Sequence, residues 1–234
     1  VPQGISAEMI ADKWEIPRSE LDEIGLRSHQ LAAQATEEGR FEREMIAFSV
    51  NGDTHVTDQG IRPDTSIEKL AELKPAFKED GKVTAGNSSQ ISDGAAAVLL
   101  MTREKADELG LKPRARIADE TTVGVDPVMM LTGPIPATKK LLDRNGMQIG
   151  DLDLIEINEA FASVVAAWRR ELEPDMDRVN VNGGAIALGH PLGSTGARLI
   201  TTLLHELERS DKEWGLVTMC CGGGLGTGTL IQRV

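Results

Sequence analysis

Residues 180–198 read Asn-Val-Asn-Gly-Gly-Ala-Ile-Ala-Leu-Gly-His-Pro-Leu-Gly-Ser-Thr-Gly-Ala-Arg, a run of small residues around one histidine, His190. Glycine permits backbone angles and close approaches that other residues do not, so this run predicts a tight loop. From Thr195 to Leu207 apolar residues recur with the period of a helix, so the loop should end at a helix N-terminus with outward-pointing N–H groups. A histidine on such a loop favours catalysis; the alternative is a core histidine with a satisfied hydrogen bond.

The composition is that of an ordinary globular protein. Of its 234 residues, 40% are hydrophobic and 26% are charged, which allows one large or two small domains around a sizeable core. The formal net charge of −12 disfavours nucleic acid and anionic membranes as main partners. No apolar run reaches transmembrane length, so no membrane span is predicted.

The chain has two cysteines, Cys220 and Cys221, and they are adjacent. Adjacent cysteines make a poor structural disulfide, which favours a reducing, cytoplasmic setting. Two cysteines and four scattered histidines give no metal-ligand spacing, so no metal site is expected.

Residues 1–81 are expected to be helical and charged, an appendage rather than a self-sufficient domain. Ser19 is predicted to cap a long helix that Gly39 ends. Thr65 is predicted to cap a shorter helix through a capping box. Between them, residues 45–58 are expected to include an extended segment.

From residue 82 onward, short apolar runs alternate with helical patterns, as in an α/β layered core with a largely covered sheet. The predicted strands are residues 95–101, 115–125, 152–157, 179–181, 216–220 and 228–233, and the predicted helices are residues 136–145, 160–173, the helix after His190 and a short helix that stops at Gly110.

Chemistry-bearing residues lie in loops near predicted strand ends, where α/β proteins place ligands. The pair Cys220-Cys221 directly precedes glycines 222–224, and the Gly222 amide could donate to an oxyanion. With His190 these residues provide a thiol, an imidazole and an amide, which suits thioester or acyl chemistry; Cys220 could act as base or nucleophile. Two alternatives remain: Cys220 as an inert buried thiol, and Asn158 as a helix cap.

Four motifs occur in the order and spacing of one known family. They are Asn158-Glu-Ala-Phe-Ala162, Gly189-His-Pro191 with its flanks, Cys220-x-Gly-Gly-Gly224, and Val83-Thr-Ala-Gly-Asn-Ser-Ser89 running into Asp93-Gly-Ala-Ala-Ala97. Over essentially its whole length the chain resembles the thiolases, the acetyl-CoA C-acyltransferases. Residues 173–177 and 199–208 are most similar to actinobacterial 3-ketoacyl-CoA thiolases of lipid and steroid breakdown.

The resemblance implies roles for four residues. His190 matches the histidine that activates the nucleophilic cysteine and helps to hold the thioester oxygen. Asn158 matches the residue that fixes a water in that oxyanion hole. Cys220 matches the second, acid/base cysteine, and Gly222 matches the amide donor of the other oxyanion hole. The substrate pair would be 3-ketoacyl-CoA and CoA, and no permanently bound cofactor is implied.

The resemblance also implies a CoA site. The matching positions are Ala85, Ser89, Ala160 and Phe161 along the pantetheine path, and Arg62, Leu73 and Phe77 near the nucleotide end. Arg62 would supply the local cation that lets an acidic protein hold a polyphosphate. From the sequence alone, a solvated surface arginine is as good an interpretation.

By resemblance the chain has the thiolase-like α-β-α-β-α layered core, in its C-terminal half, and part of the helical loop domain. Residues 1–81 would be a partial, CoA-covering loop domain, residues 82–112 the last strand and helix of the N-terminal core half, and residues 113–234 the C-terminal domain. The nucleophilic cysteine of the family lies upstream of every residue here. These 234 residues are therefore expected to be inactive without a complementary N-terminal thiolase segment.

Other hypotheses stay open beside catalysis. One is a non-catalytic CoA- or lipid-binding relative. A ketoacyl synthase is disfavoured because it would carry a second histidine where this chain has Asn158. The family implies a homodimer or homotetramer. Acyl-chain or steroid specificity and the direction of flux are left undecided.

Overall fold

The computed structural model describes all 234 residues and contains eight α-helices and six strands. In chain order they are α1 Gln3–Lys13, α2 Arg18–Glu37, β1 Phe48–Val50, β2 Asp53–His55, α3 Ile67–Ala71, α4 Arg103–Glu108, β3 Ala115–Gly124, α5 Pro134–Asn145, β4 Leu154–Ile157, α6 Ala162–Leu172, α7 Ala185–Leu188, α8 Thr195–Arg209, β5 Trp214–Cys221 and β6 Leu225–Arg233. No helix combines the length and the hydropathy that crossing a membrane would need.

The main sheet has four strands in the order β3-β6-β5-β4. Strands β4 and β5 are parallel, whereas β6 runs antiparallel to both β5 and β3. The carboxyl ends of β3, β4 and β5 therefore meet at one edge of the sheet. This mixed sheet with helices on both faces confirms the predicted α/β layered class.

Alternating side chains bury the two faces of the sheet against different helices. Leu154 and Val217 pack against the stripe that α8 presents every four residues, which includes Leu203. Their neighbours Ile155 and Leu216 belong to the larger core cluster, which α5 and α6 share. Because side chains alternate between the two faces along each strand, helices cover both faces of the sheet.

Helix α5 shows why several sequence boundaries hold. It ends at Gly146, as predicted, which is left-handed at φ 63°. It begins two residues before the predicted start, at Pro134, whose fixed φ suits a first turn. Helix α8 begins at Thr195, as predicted, and α4 stops before Gly110 at φ 64°.

Two predicted caps are wrong. Helix α2 begins two residues earlier than expected, after Pro17, so Ser19 lies inside the first turn and caps nothing. In α3 the capping side chain is Ser66, which accepts from Lys69 N, instead of Thr65. In both cases a neighbouring residue already holds the extended conformation that a cap requires.

The predicted buried strand at residues 95–101 is also wrong. The segment has no regular secondary structure, and Leu99 and Leu100 are 79% and 63% exposed. A strand needs a partner for its backbone N–H and C=O groups, and no strand of this chain pairs with the segment. Residues 82–112 accordingly contain helix α4 but no strand, and residues 179–181 form only isolated bridges.

The extended segment predicted within residues 45–58 is present as a hairpin. Strands β1 and β2 pair antiparallel across Asn51 and Gly52, both of which have positive φ.

Candidate active site

Asn158 lies where β4 ends, beside β5. Its backbone N–H donates to the carbonyl of Thr218 at 3.0 Å, and the residue is fully buried. The cap position of α6 is Phe161, so Asn158 is not the helix cap that the sequence left open. Its side-chain Nδ2 instead lies 3.3 Å from Nε2 of His190, while Oδ1 has no hydrogen-bond partner within the chain.

The His190 loop is held from several sides. It leaves α7 through Gly189, where φ is 89° and an added Cβ would lie 2.0 Å from Oγ of Ser92. The His190 N–H donates to the carbonyl of Gln90 at 3.0 Å. The Gln90 amide in turn donates to the carbonyl of Ile186 at 2.9 Å, which ties the loop to α7. The imidazole is therefore fixed by the backbone contacts of its loop as well as by the hydrogen bonds of its own ring nitrogens.

The hydrogen bonds of His190 assign its tautomer. The Thr195 hydroxyl donates to the carbonyl of Pro191 at 2.8 Å, so it can only accept from Nδ1–H of His190, 2.6 Å away. Nε2 is then the unprotonated nitrogen, and it faces the Asn158 amide. Burial, and secondarily the Arg198 charge, lower the pKa of His190, so the ring is neutral at pH 7. A neutral ring whose Nε2 carries no proton can accept one from a thiol.

Cys220 occupies the same sheet edge, two residues beyond Thr218 on β5. The side chain is buried in the larger core cluster. Burial, and then the neighbouring Cys221, raise the pKa of the Cys220 thiol to about 12. The thiol therefore carries its proton at neutral pH, which suits a proton donor and argues against a resting thiolate nucleophile.

Gly222 opens the tight turn that follows β5. Gly223 and Gly224 have φ values of 84° and 87°, and an added Cβ on Gly224 would lie 2.9 Å from the carbonyl of Val125. The exposed Gly222 N–H takes part in none of the backbone hydrogen bonds of the turn. It is thus available as a donor to an oxyanion.

The predicted pantetheine positions form one connected set. The Ser89 N–H donates to the carbonyl of Ala160 at 3.0 Å. Phe161 contacts Phe77 edge-on, with ring centroids 6.0 Å apart. Leu73 packs against Gly86, the residue that follows exposed Ala85. A Cβ added to Gly86 would lie 2.7 Å from the Leu73 Cδ1, so Leu73 belongs to the same set.

Arg62 lies apart from that set. Its exposed guanidinium contacts only the carbonyl of Gln59 at 3.4 Å, and its backbone N–H donates to Nδ1 of His29 at 3.1 Å. Lys69, by contrast, is paired with Asp64 at 2.6 Å. Arg62 thus makes no ion pair with a carboxylate of the chain, whereas Lys69 does.

Sequence reasoning missed two functional contacts. The sequence predicts Thr195 only as the start of a helix, although its hydroxyl bonds to His190 Nδ1 and orients the ring. A hydroxyl five residues after a loop histidine does not by itself indicate such a contact. Glu159 was quoted only as part of a motif, although its carboxylate is buried and bonded to Ser28, Asn180 and Ile186. The available signal is a charged residue two positions after the end of a fully buried strand.

Family models match nearly the whole chain. Residues 1–104 match the model described as thiolase, N-terminal domain, and residues 111–233 match the model described as thiolase, C-terminal domain. The acetyl-CoA acetyltransferase of Syntrophomonas wolfei is 50% identical, covering 99% of this chain and 60% of that protein. The steroid 3-ketoacyl-CoA thiolase FadA6 of Mycobacterium tuberculosis is also 50% identical, covering 100% of this chain and 57% of that protein.

Solved structures agree in fold. The human mitochondrial 3-ketoacyl-CoA thiolase in complex with CoA superposes with a TM-score of 0.95 at 40% identity, covering 100% of this chain and 59% of that one. The Bacillus anthracis acetyl-CoA acetyltransferase gives a TM-score of 0.93 at 46% identity, covering 99% of this chain and 60% of that one.

A layered α/β chain with a neutral histidine, a protonated thiol and a free amide at one sheet edge has the equipment of an acyl-transfer protein. The chain belongs to the thiolase family. It spans 57% to 62% of the length of the curated relatives that it matches.

Proposed function

We propose that the polypeptide carrying this chain is an acyltransferase that cleaves 3-ketoacyl-CoA with a second CoA, giving acetyl-CoA and a shortened acyl-CoA, or runs the reverse Claisen condensation. The observation that carries the proposal is the contact between Nε2 of neutral His190 and the Asn158 amide, at the sheet edge that also bears Cys220. Relatives of 47% to 50% identity that carry thiolase or acetyltransferase names support it.

The roles follow from the protonation states. His190 Nε2 takes the proton of a nucleophilic cysteine thiol, and that thiolate attacks the 3-keto carbon. As the bond between carbons 2 and 3 breaks, Cys220 gives its proton to the departing acetyl-CoA carbanion. The Cys220 thiolate then takes the proton of the incoming CoA thiol, and the CoA thiolate attacks the acyl-enzyme carbonyl. The C–S bond to the nucleophilic cysteine breaks, and that cysteine recovers its proton from the His190 imidazolium. The Gly222 amide stabilises the oxyanion of the tetrahedral intermediate.

The nucleophile of this cycle is neither cysteine of the chain. Cys220 has its own role, and Cys221 follows it on the same strand. The proposal therefore includes a complementary N-terminal thiolase segment that supplies the nucleophilic cysteine. The 234 residues alone should not turn over.

CoA is proposed to bind as substrate along the connected set from Phe77 to Ser89, with Arg62 near its phosphates. A cytoplasmic setting, a homodimer or homotetramer, and a role in fatty-acid and lipid degradation complete the proposal. The division into residues 1–81, 82–112 and 113–234 stays a prediction. The N-terminal family model ends at residue 104, and the C-terminal family model begins at residue 111.

The test is the denatured mass of every polypeptide in the purified native sample, followed by thiolysis of acetoacetyl-CoA. A longer chain, or a second fragment with an upstream cysteine, together with turnover supports the proposal. A single species of 25.2 kDa that binds CoA esters saturably without turnover supports the alternative, a non-catalytic CoA-binding relative. Rapid turnover by that single species contradicts the assigned roles.

A further inference from the structure

The carboxylate of Glu159 is buried between three parts of the chain. Oε2 accepts from the Ser28 hydroxyl of α2 at 2.6 Å and from the Ile186 N–H of α7 at 3.2 Å. Oε1 accepts from the Asn180 amide at 3.0 Å. The residue is 3% exposed, so these contacts replace all of its hydration.

All of the groups around this carboxylate donate. The Ser28 hydroxyl accepts from the Gly184 N–H at 3.1 Å, which leaves its proton for Glu159. The Asn180 Oδ1 accepts from the Ile157 N–H at 2.8 Å, so that amide presents its NH₂ to Glu159. A donor set of this kind matches an acceptor-only carboxylate and conflicts with a neutral amide.

The backbone around Glu159 is built for close approach. An added Cβ on Gly184 would lie 2.2 Å from the Glu159 Cδ. On Gly183, at φ 77°, it would lie 2.5 Å from the carbonyl of Ser28. The two glycines therefore let the loop before α7 press against both α2 and the carboxylate.

The bonded segment leads directly to the site. Ile186 belongs to the single turn of α7, which Gly189 ends immediately before His190. On the other side, Glu159 follows Asn158, whose amide meets His190 Nε2. One carboxylate thus holds both the chain that carries the imidazole and the chain that carries its amide partner.

We propose that Glu159 is a positioning residue that sets His190 against Asn158 and locks both to α2. The effect of Glu159 on turnover rests on the proposed function, whereas its effect on the orientation of the His190 imidazole does not. Loss of the carboxylate releases α7 at Ile186, and His190 then loses its single hydrogen-bonded orientation. Misplacement of a reacting group by about 1 Å is enough to lower a rate on the order of 100-fold.

The experiment compares Glu159→Gln, Glu159→Asp and Ser28→Ala in the native polypeptide that carries these residues. The control is Glu206→Gln, because Glu206 is equally buried and bonded to Asn182 and Arg209 away from the imidazole. Two readouts are needed: kcat and KM with acetoacetyl-CoA, and the ¹⁵N spectrum of the histidine rings, which reports the tautomer of His190 without turnover.

Glu159→Gln should lower kcat about 10- to 100-fold with KM changed less than about 3-fold, and the His190 nitrogens should lose their single-tautomer pattern. Glu159→Asp should recover part of both effects because it keeps a carboxyl group, and Glu206→Gln should change neither.

Unchanged His190 signals in folded Glu159→Gln protein would overturn the proposal, as would a loss of kcat that only follows the folded fraction. Should Glu159→Gln not fold, Ser28→Ala decides, because it leaves the carboxylate and removes one link: a shift of the His190 signals supports the proposal and no shift overturns it. Absent turnover in the unsubstituted polypeptide contradicts the proposed function alone, since the spectra still test Glu159.

Discussion

At the residue scale, the protonation states of the site come from burial more than from direct charge pairing. Burial comes first among the causes that lower the pKa of His190 and raise that of Cys220. The sequence identified both residues from their glycine-rich surroundings. The sequence does not give the tautomer of His190. That tautomer depends on the Thr195 hydroxyl, which donates to the carbonyl of Pro191 only once the loop has folded.

Thr195→Val should release the His190 tautomer. The substitution removes the only acceptor of Nδ1–H, so the proton can move to Nε2 and block its role as a base. We expect kcat to fall by roughly 10-fold, as for other positioned acid–base partners, with a mixed tautomer in ¹⁵N spectra. Thr201→Val is the matched control, because Thr201 makes the same bond to Ala197 on the same helix without contacting His190. Equal effects of the two changes would contradict this role.

Cys220 should resist alkylation in the native fold. With a pKa of about 12, its thiolate fraction at pH 8 is about 1 in 10,000, and the thiolate is the reactive form. Cys221 is only half-buried, so iodoacetamide should modify it first. Peptide mass mapping after timed labelling measures the order, and the unfolded chain should label both residues alike. Faster native labelling of Cys220 would be incompatible with the protonated acid inferred above.

At the element scale, the local rules that work are those that need no partner. The glycine that closes α5 and the amphipathic pattern of α8 both follow from residue type and spacing. Strand assignment at residues 95–101 fails because a strand exists only with a neighbour. The α7 turn was missed since four residues between glycines carry too little periodicity for a helix prediction.

Gly189→Ala should be costly and Gly193→Ala should not. Alanine at position 189 meets a left-handed φ of 89° and the Ser92 hydroxyl at 2.0 Å. We expect a loss of about 1–3 kcal/mol in the free energy of unfolding, typical of a strained backbone position. Gly193 has open space and no positive φ, so it serves as the control in the same loop. Urea denaturation of both variants measures the difference, and similar midpoints would contradict the expected strain.

Glu156 on β4 should make stability fall as the pH rises. Burial raises its pKa to about 8; the charge of Arg198 opposes this shift, whereas Glu159, Glu44 and Glu206 add to it. An acid with a raised folded pKa binds more protons folded than unfolded, so stability is lost from about pH 4.5 up to pH 8 and stays lower above.

Glu156→Gln should therefore flatten this pH dependence. Urea midpoints at pH 5.5 and pH 8.5 measure the slope, and part of it should remain because Glu44 is also raised, to about 7. Glu108→Gln on exposed α4 is the control for removing a carboxylate. A slope in Glu156→Gln equal to that of the unsubstituted chain would rule out Glu156 as its source.

At the scale of the whole molecule, the layered α/β core and the order of β3, α5, β4, α6, α8, β5 and β6 could be predicted, because motifs and alternation agree over these elements. The sequence could not show that Glu159 links α2 to α7. Ser28 and Glu159 are 131 positions apart, and neither residue type signals the other. Such contacts depend on how complete elements pack, which a local pattern does not contain.

The apolar segment at residues 95–101 should be an assembly surface. Leu99 and Leu100 are exposed, and the segment lies in the part that matches the N-terminal thiolase domain. A polypeptide carrying the remainder of that domain would supply the missing strand partner. Hydrogen exchange should then show fast amides in this segment for the 234-residue chain and protected amides in the assembled protein.

A Leu99→Asp, Leu100→Asp double variant should abolish assembly, yet change the free energy of unfolding of the isolated chain by less than about 0.5 kcal/mol, as for exposed positions. Unchanged assembly in that variant would place the partner strand elsewhere. A large loss of stability in the isolated chain would instead show that the segment packs within these residues.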